Sequence, residues 1–308
     1  MTSAASSAPA SPRAHPPVAG VPHPLTVLEL LKPVTWFPPM WALACGVVSA
    51  GGFSWDRLVW VFGAVLLAGP LVCGTSQVVN DWFDREVDAI NEPNRPIPSG
   101  RAPGRSAFWI ALIMTAVSAG VAALLGLWVF LAGLVGLALA WGYSAPPFRF
   151  KRSGIWGPLS VGLSYEGLAW FTGAAASLGA FPGLAITGVA VLYSLGAHGI
   201  MTINDFKAIE GDRAMGLRSL PAVLGPERAA RIACFVMAVP QVVVIGLLVH
   251  WGHPIQAGVV TASLILQFAC MARWMGDPKG RAPWYNATGV TLYVLGMMAT
   301  ATALGASA

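Results

Sequence analysis

Five carboxylates crowd the stretch NDWFDREVDAINEPNRPIPSGR at residues 80–101: Asp81, Asp84, Glu86, Asp88 and Glu92. A second acidic stretch, NDFKAIEGDRAMGLRSLP from residue 204, carries Asp205, Glu210 and Asp212. Both open on Asn-Asp, at Asn80 and Asn204, and an Arg follows the first Asp after 14 residues (Arg95) or 13 (Arg218). Continued as helices, the first stretch places Asn80 one turn from Asp84 and gathers Asp81, Asp84 and Asp88 on one face. In the second, Asp205 and Asp212 are seven residues apart and share a face. Carboxylates at such spacing repel one another and destabilise a helix unless a cation lies among them. Hard oxygen donors with room for water suit Mg²⁺, which is commonly held by one or two carboxylates together with substrate phosphates. With Arg95, Lys207, Arg213 and Arg218 in the same stretches, the pattern predicts a site for a Mg²⁺-bridged diphosphate. Its chemistry would be the stabilisation of charge on a departing diphosphate. A plain solvated charge run explains neither the recurrence of the spacing nor the accompanying cations.

The rest of the chain is apolar. Of 308 residues, 56% are hydrophobic and 10% charged, whereas a soluble domain carries about 25% charged residues; mean hydropathy is +0.67. Apolar runs fall near 34–52, 58–79, 107–125, 127–145, 157–177, 183–203, 229–249, 254–273 and 284–304, each near the length of about 20 residues that crosses a bilayer as a helix. The predicted fold class is therefore all-α: one polytopic membrane domain over residues 25–308, with nine transmembrane helices. Residues 1–24, rich in Pro, Ala and Ser with no apolar core of a signal peptide, are expected to form a disordered cytoplasmic tail. Cys45, Cys73, Cys234 and Cys270 sit at wide spacing in apolar runs, which predicts packing residues instead of a metal or redox pair.

Lys and Arg are retained on the cytoplasmic side of a membrane. With the N-terminus cytoplasmic, all of the 18 Lys and Arg except Arg57 fall on that side, and both acidic stretches join them. The net charge of +5 follows from this topology and calls for no nucleic-acid partner. Pro93, Pro96 and Pro98 are expected to stop the helix that carries the first stretch.

The first stretch, N-D-x-x-D-x-x-x-D followed by Asn94-Arg95-Pro96, the segment YSAPPFRFKR at 143–152 and the second acidic stretch together resemble the UbiA superfamily of intramembrane prenyltransferases. Within it the wording of both stretches is most similar to that of the chlorophyll and bacteriochlorophyll synthases. The resemblance covers essentially the whole membrane portion. It implies a helical bundle around a central lateral cavity, capped at its cytoplasmic end by the acidic loops, in a bacterial inner or intracytoplasmic membrane. Carried over, Asn80, Asp84 and Asp88 match the first Mg²⁺–diphosphate motif, with Asp81 as an extra acid. Arg95 matches a diphosphate-binding Arg, and Tyr143 and Lys151 match a Tyr and a basic residue that contact the prenyl diphosphate. The second motif departs from the D-x-x-x-D of many relatives: with Asp212 as its closing acid, Ala208 stands where the first Asp would be. Asp205 and Glu210 must then supply the remaining acid, beside Asn204, Lys207, Arg213 and Arg218. The expected metal donors are thus Asn80, Asp84, Asp88, Asp205 and Asp212.

In the resembling enzymes an allylic diphosphate ionises and an acceptor traps the carbocation. For a bacteriochlorophyll synthase the donor is geranylgeranyl or phytyl diphosphate and the acceptor is the propionate of bacteriochlorophyllide a. That carboxylate is already ionised at neutral pH, so no general base is required. The implied partners are the isoprenoid diphosphate, the tetrapyrrole and membrane lipid; no motif specifies a protein partner. Glu166, near mid-bilayer in the fifth run, is a candidate to hydrogen-bond the macrocycle. His198, seven residues before Asp205, is a candidate axial ligand for the tetrapyrrole's central Mg. The thirteen Trp offer faces that would stabilise a cation. Chlorophyllide, 4-hydroxybenzoate, homogentisate and haem are the alternative acceptors. A cation transporter is the competing class, but a conducting path would leave polar residues along its whole length, and the non-cytoplasmic turns are nearly chargeless.

Overall fold

The computed structural model describes residues 20–52 and 54–307; nearly all of the expected tail at 1–24 lies outside them. Among the described residues there are helices and no strands. The short α1 (Pro24–Leu31) leads through a tight turn into α2 (Phe37–Ser49). Next, α3 (Leu58–Leu66), a π-helical segment Leu67–Cys73 and α4 (Gly74–Asn91) run on without a break. Then come α5 (Ser106–Leu125) and α6 (Leu127–Ser144). A third continuous helix consists of α7 (Trp156–Gly162), a second π-helical segment Leu163–Leu168 and α8 (Ala169–Leu178). After α9 (Gly183–Asn204) a 3₁₀ turn, Asp205–Ala208, leads into the short α10 (Ile209–Ala214) and α11 (Leu220–Leu224). The chain closes with α12 (Pro226–His250), α13 (Pro254–Met275) and α14 (Ala282–Gly305).

Every apolar run is helical, and among the described residues seven of these helices are by themselves long and apolar enough to cross a membrane; the other two belong to the first and fifth runs. The first run yields only the 13 residues of α2. The fifth is long enough, but Ser160, Ser164, Tyr165 and Glu166 make it too polar. Two helices overshoot a bilayer: Trp55–Asn91 has 37 residues and Gly183–Ala214 has 32. At about 1.5 Å per residue these exceed a hydrocarbon core of about 30 Å by several turns. Those surplus turns carry the two acidic stretches.

Close backbone approach holds the bundle together. Where α2 crosses α8, a Cβ on Gly46 would stand 1.9 Å from the Trp170 carbonyl oxygen, and one on Gly173 would stand 2.1 Å from that of Leu43. Small residues at such crossings are what helices within lipid use to pack, because apolar burial distinguishes little between a helix and a lipid tail. Tyr193, buried beside Trp170, shares a 2.8 Å hydrogen bond with Thr300, and the Tyr293 hydroxyl donates to the Tyr193 carbonyl at 2.7 Å. The buried amides of Gln241 on α12 and Gln267 on α13 bond each other reciprocally at 3.1 and 2.9 Å. Arg57, the cation that the charge count set apart, donates Nη2 to the Ala176 carbonyl at 3.0 Å in the last turn of α8, where a cation meets the negative end of the helix.

Candidate active site

The first acidic stretch is helical through Asn91, as its continuity with the preceding apolar run requires, but its acids do not form one cluster. Asn80 and Asp84 face one way: Asn80 Nδ2 donates to Asp84 Oδ2 at 2.9 Å and to Ser144 Oγ at 3.1 Å, and Lys151 Nζ donates to Asp84 Oδ1. Asp81 and Asp88 face Arg95, whose Nη1 lies 2.9 Å from Asp88 Oδ2 and 3.4 Å from Asp81 Oδ1, while its Nε donates to Glu92 Oε2 at 2.6 Å. Burial works against the Arg95 cation, but Glu92, Asp88 and Asp81 outweigh it and hold its pKa above the ordinary value. Asp81 also accepts from Lys32 Nζ at 2.6 Å. Nothing local in the sequence pairs Lys32 with a residue 49 positions away.

Lys151 stands on the turn between α6 and α7. Burial pulls its pKa below the ordinary lysine value, against the hydrogen bond and charge of Asp84. This turn is tied to the second acidic stretch by backbone: Gly154 N donates to the Arg218 carbonyl at 2.8 Å and Arg218 N to that of Arg152 at 3.1 Å. Gly154 admits this approach, since a Cβ there would meet Leu220 N at 2.6 Å. The second stretch does not continue as one α-helix. The 3₁₀ turn at Asp205–Ala208 changes the phase, so the seven-residue spacing of Asp205 and Asp212 does not by itself place them. Tertiary packing does: Asp205 and Ser219 line one cavity with Tyr143, and Ser219 holds Asp212. Asp212 is buried and accepts from Ser219 Oγ.

Beneath these groups lies a cavity of about 440 Å³. Asn80, Tyr143, Lys151, Asn204 and Asp205 line its polar end, and Thr35, Pro39, Ala68, Val72 and Gly136 are among the residues of its apolar wall. A smaller space shares Pro39, Ala68, Val72, Gly136 and Ser164 with it and reaches on to Ala132, Leu168 and Thr172. Both π-helical segments border the cavity. The first contains Pro70, which lacks the N–H that a regular α-turn needs. The two segments meet where Cys73 Sγ lies 3.4 Å from the Tyr165 hydroxyl, which also accepts from Gln77 Nε2 at 3.3 Å. Cys73 is therefore part of the cavity wall as well as a packing residue, and all four cysteines are free thiols.

Several expected residues stand elsewhere. Glu210 is exposed and paired with Lys279 of the α13–α14 turn, so Asp205 and Asp212 are the acids that the second stretch brings to the site. Glu210→Gln is expected to leave turnover within about twofold of the unmodified protein, as for other exposed ion pairs; steady-state kinetics check this. Lys207 and Arg218 are exposed, and Arg213 Nε donates to the Ala222 carbonyl at 3.0 Å, closing its own loop. Asn204 accepts from Asn286 Nδ2 at 3.0 Å at the cavity edge. Glu166 is buried in the second π-helical segment with Oε2 unpartnered, near Cys45 and Tyr293, and His198 is half-buried with Nδ1 unpartnered. Neither lines the cavity. Nor does any Trp: among the described residues its aromatic ones are Tyr143 and Tyr165. Sequence reasoning missed Tyr165, although it adjoins Glu166, and also Ser144, Ser219 and Lys32.

Among the described residues no three His, Cys, Asp or Glu side chains converge into a metal cage. The hard oxygens of Asn80, Asp84 and Asp205 fit Mg²⁺ in the manner in which protein carboxylates share it with substrate phosphate. Residues 35–300 match the UbiA prenyltransferase family. The chain belongs to that family. The bacteriochlorophyll synthase 33 kDa chain of Cereibacter sphaeroides is 57% identical over 284 residues, covering 92% of this chain and 94% of that protein. The chloroplastic chlorophyll synthase of Arabidopsis thaliana is 36% identical, covering 90% and 73% respectively. In structure, a UbiA homologue from Archaeoglobus fulgidus bound to GPP and Mg²⁺ superposes with a TM-score of 0.67 at 23% identity, over 89% of this chain and 99% of that one; at that identity the likeness is one of fold. The span matching the UbiA family holds every cavity residue named here, whereas α1 and Lys32 precede it.

Proposed function

We propose that this UbiA-family protein transfers a geranylgeranyl or phytyl group from its diphosphate to the propionate of bacteriochlorophyllide a. A carboxylate oxygen bonds to the allylic C1, the C1–O bond to the diphosphate breaks, and diphosphate leaves with the electron pair. One observation carries this reading: an apolar cavity whose polar end is formed by Asn80, beside Asp84, by Lys151 and Tyr143, and by Asp205 of the second acidic stretch. The prenyl chain lies along the apolar wall toward Ala132 and Thr172, and its diphosphate points at the acids. Asp84, Asp205 and Asn80 would hold Mg²⁺ together with the diphosphate, and the metal would neutralise charge that builds on the leaving group. Lys151 exchanges its bond to Asp84 for a diphosphate oxygen, and Arg95 holds Asp88 in place beside it. Tyr143 and Tyr165 present ring faces to the allylic cation and keep water from it. An ionised propionate needs no base, so the residues around it only orient it.

The high identity to a protein named for bacteriochlorophyll, against 36% to one named for chlorophyll, favours the bacteriochlorophyllide acceptor. The arrangement of Lys and Arg supports a cytoplasmic site in a bacterial inner or intracytoplasmic membrane. The test is a transfer assay with purified protein, labelled geranylgeranyl diphosphate, Mg²⁺ and a panel of bacteriochlorophyllide a, chlorophyllide a, 4-hydroxybenzoate, homogentisate and haem. The expected result is esterification of bacteriochlorophyllide in preference to every other acceptor. Transfer to none of them, with cation flux in vesicles, would overturn the enzyme reading.

A further inference from the structure

Lys32 occupies an unusual position. It caps α1 in the left-handed region, with φ 45° and ψ 69°, a conformation uncommon outside glycine and further disfavoured by the proline that follows, which biases the preceding residue toward extended backbone. The conformation is held by the Lys32 carbonyl, which accepts from both the N–H and the hydroxyl of Thr35 at 2.8 Å, and by Trp36 Nε1, which donates to the Leu31 carbonyl at 2.9 Å. The result is that Nζ reaches across to Asp81 Oδ1 at 2.6 Å. An observed backbone outlier that aims one side chain invites a functional account.

Asp81 supplies it. The residue is 2% exposed, does not line the cavity, and its Oδ1 is shared by Lys32 at 2.6 Å and Arg95 at 3.4 Å. Its Oδ2 has no partner among the described residues. We infer that Lys32 is a positioning residue for donor binding: by satisfying Asp81 it leaves Arg95 to Asp88, an acid of the proposed diphosphate motif. Without Lys32, the buried Asp81 carboxylate has Arg95 as its single remaining cation among the described residues. Arg95 then closes the 3.4 Å gap and turns away from Asp88. A buried charge deprived of one partner recruits whatever cation is nearest. A second ion pair, Arg101 with Glu29, fixes α1 to the same loop without touching Asp81, so it separates the tethering of α1 from the charge on Asp81.

This inference rests on the prenyl-transfer reading, and the experiment keeps the two apart. Equilibrium binding of labelled geranylgeranyl diphosphate with Mg²⁺ is measured for the full-length protein and for Lys32→Met, Lys32→Arg and Glu29→Gln, alongside kcat, both KM values and thermal melting. Lys32→Met is expected to weaken donor binding about tenfold and raise the donor KM in step, the size of one lost charge-assisted hydrogen bond, with the acceptor KM unchanged. Lys32→Arg recovers most of the affinity, and Glu29→Gln keeps all of it. Donor binding by Lys32→Met equal to that of the unmodified protein overturns the inference, and so does equal weakening by Glu29→Gln, which would make Lys32 only a tether for α1. An unmodified protein that binds no prenyl diphosphate overturns the prenyl-transfer reading itself, and the assignment of Lys32 falls with it.

Discussion

Asp84→Ala is expected to lower kcat/KM for prenyl transfer about 10³-fold or more, the scale seen when a preorganised group that meets developing charge is removed. Two contacts converge on this carboxylate: Asn80 Nδ2 at 2.9 Å on one oxygen and Lys151 Nζ on the other. The substitution therefore removes a proposed donor for Mg²⁺ and also releases Lys151 and Asn80 from their present directions. The fold should survive, because the Asp84 side chain is 27% exposed and lies in turns of α4 beyond the apolar span. Circular dichroism should be unchanged and the melting temperature shifted by a few degrees at most. Loss of turnover that excess Mg²⁺ does not restore is the expected outcome. Activity retained at ordinary Mg²⁺ would remove Asp84 from the proposed diphosphate site. Asp88→Ala should act in the same direction by a different route, since Asp88 holds Arg95 through the 2.9 Å pair.

Gly173→Val should have the largest effect on stability. Its Cβ alone would lie 2.1 Å from the Leu43 carbonyl oxygen and 2.9 Å from the Leu43 carbonyl carbon, and backbone atoms of a packed helix cannot move aside as a side chain can. Gly46→Val meets the same obstacle from the other helix, 1.9 Å from the Trp170 carbonyl oxygen. Overpacking commonly costs about 1–3 kcal/mol, and a clash of backbone with backbone should reach or exceed the top of that range. In detergent, size-exclusion chromatography should show aggregation or a strongly lowered melting temperature, with activity lost alongside because α2 continues from the cavity wall at Thr35–Pro39. A monodisperse Gly173→Val protein of ordinary melting temperature would show that α2 and α8 cross farther apart.

Pattern made much of this legible. Helical spans follow from runs of apolar residues, and the two acidic stretches follow from composition, because charge in an apolar chain has few places to lie. The continuation of α4 through Asp81, Asp84 and Asp88 could be read from the absence of any breaker before Pro93. The close crossing of α2 and α8 has a sequence signature too, small residues four apart at Ala42, Gly46 and Ala50 and at Ala169, Gly173 and Ser177, though such residues are common in membrane helices and the signature does not name its partner helix.

Other features depended on chain segments far apart. Helical phase put Asp81 with Asp84 and Asp88, but it could not show that Arg95 and Lys32 take Asp81 while Asp84 turns to Lys151. A heptad count joined Asp205 to Asp212 along one helix, whereas a 3₁₀ turn breaks that helix and tertiary packing brings Asp205 to the cavity and Asp212 to Ser219 on its wall. Glu210 looked equivalent to them in sequence until Lys279, 69 residues away, claimed it. Sequence alone thus determined the helical runs and the two acidic stretches, because each is encoded within a few turns of helix. The tertiary structure decided which oxygen faces the cavity and which faces a cation, because an ion pair has a reach of only about 4 Å and segments with no local relation in the sequence must be brought that close by the fold.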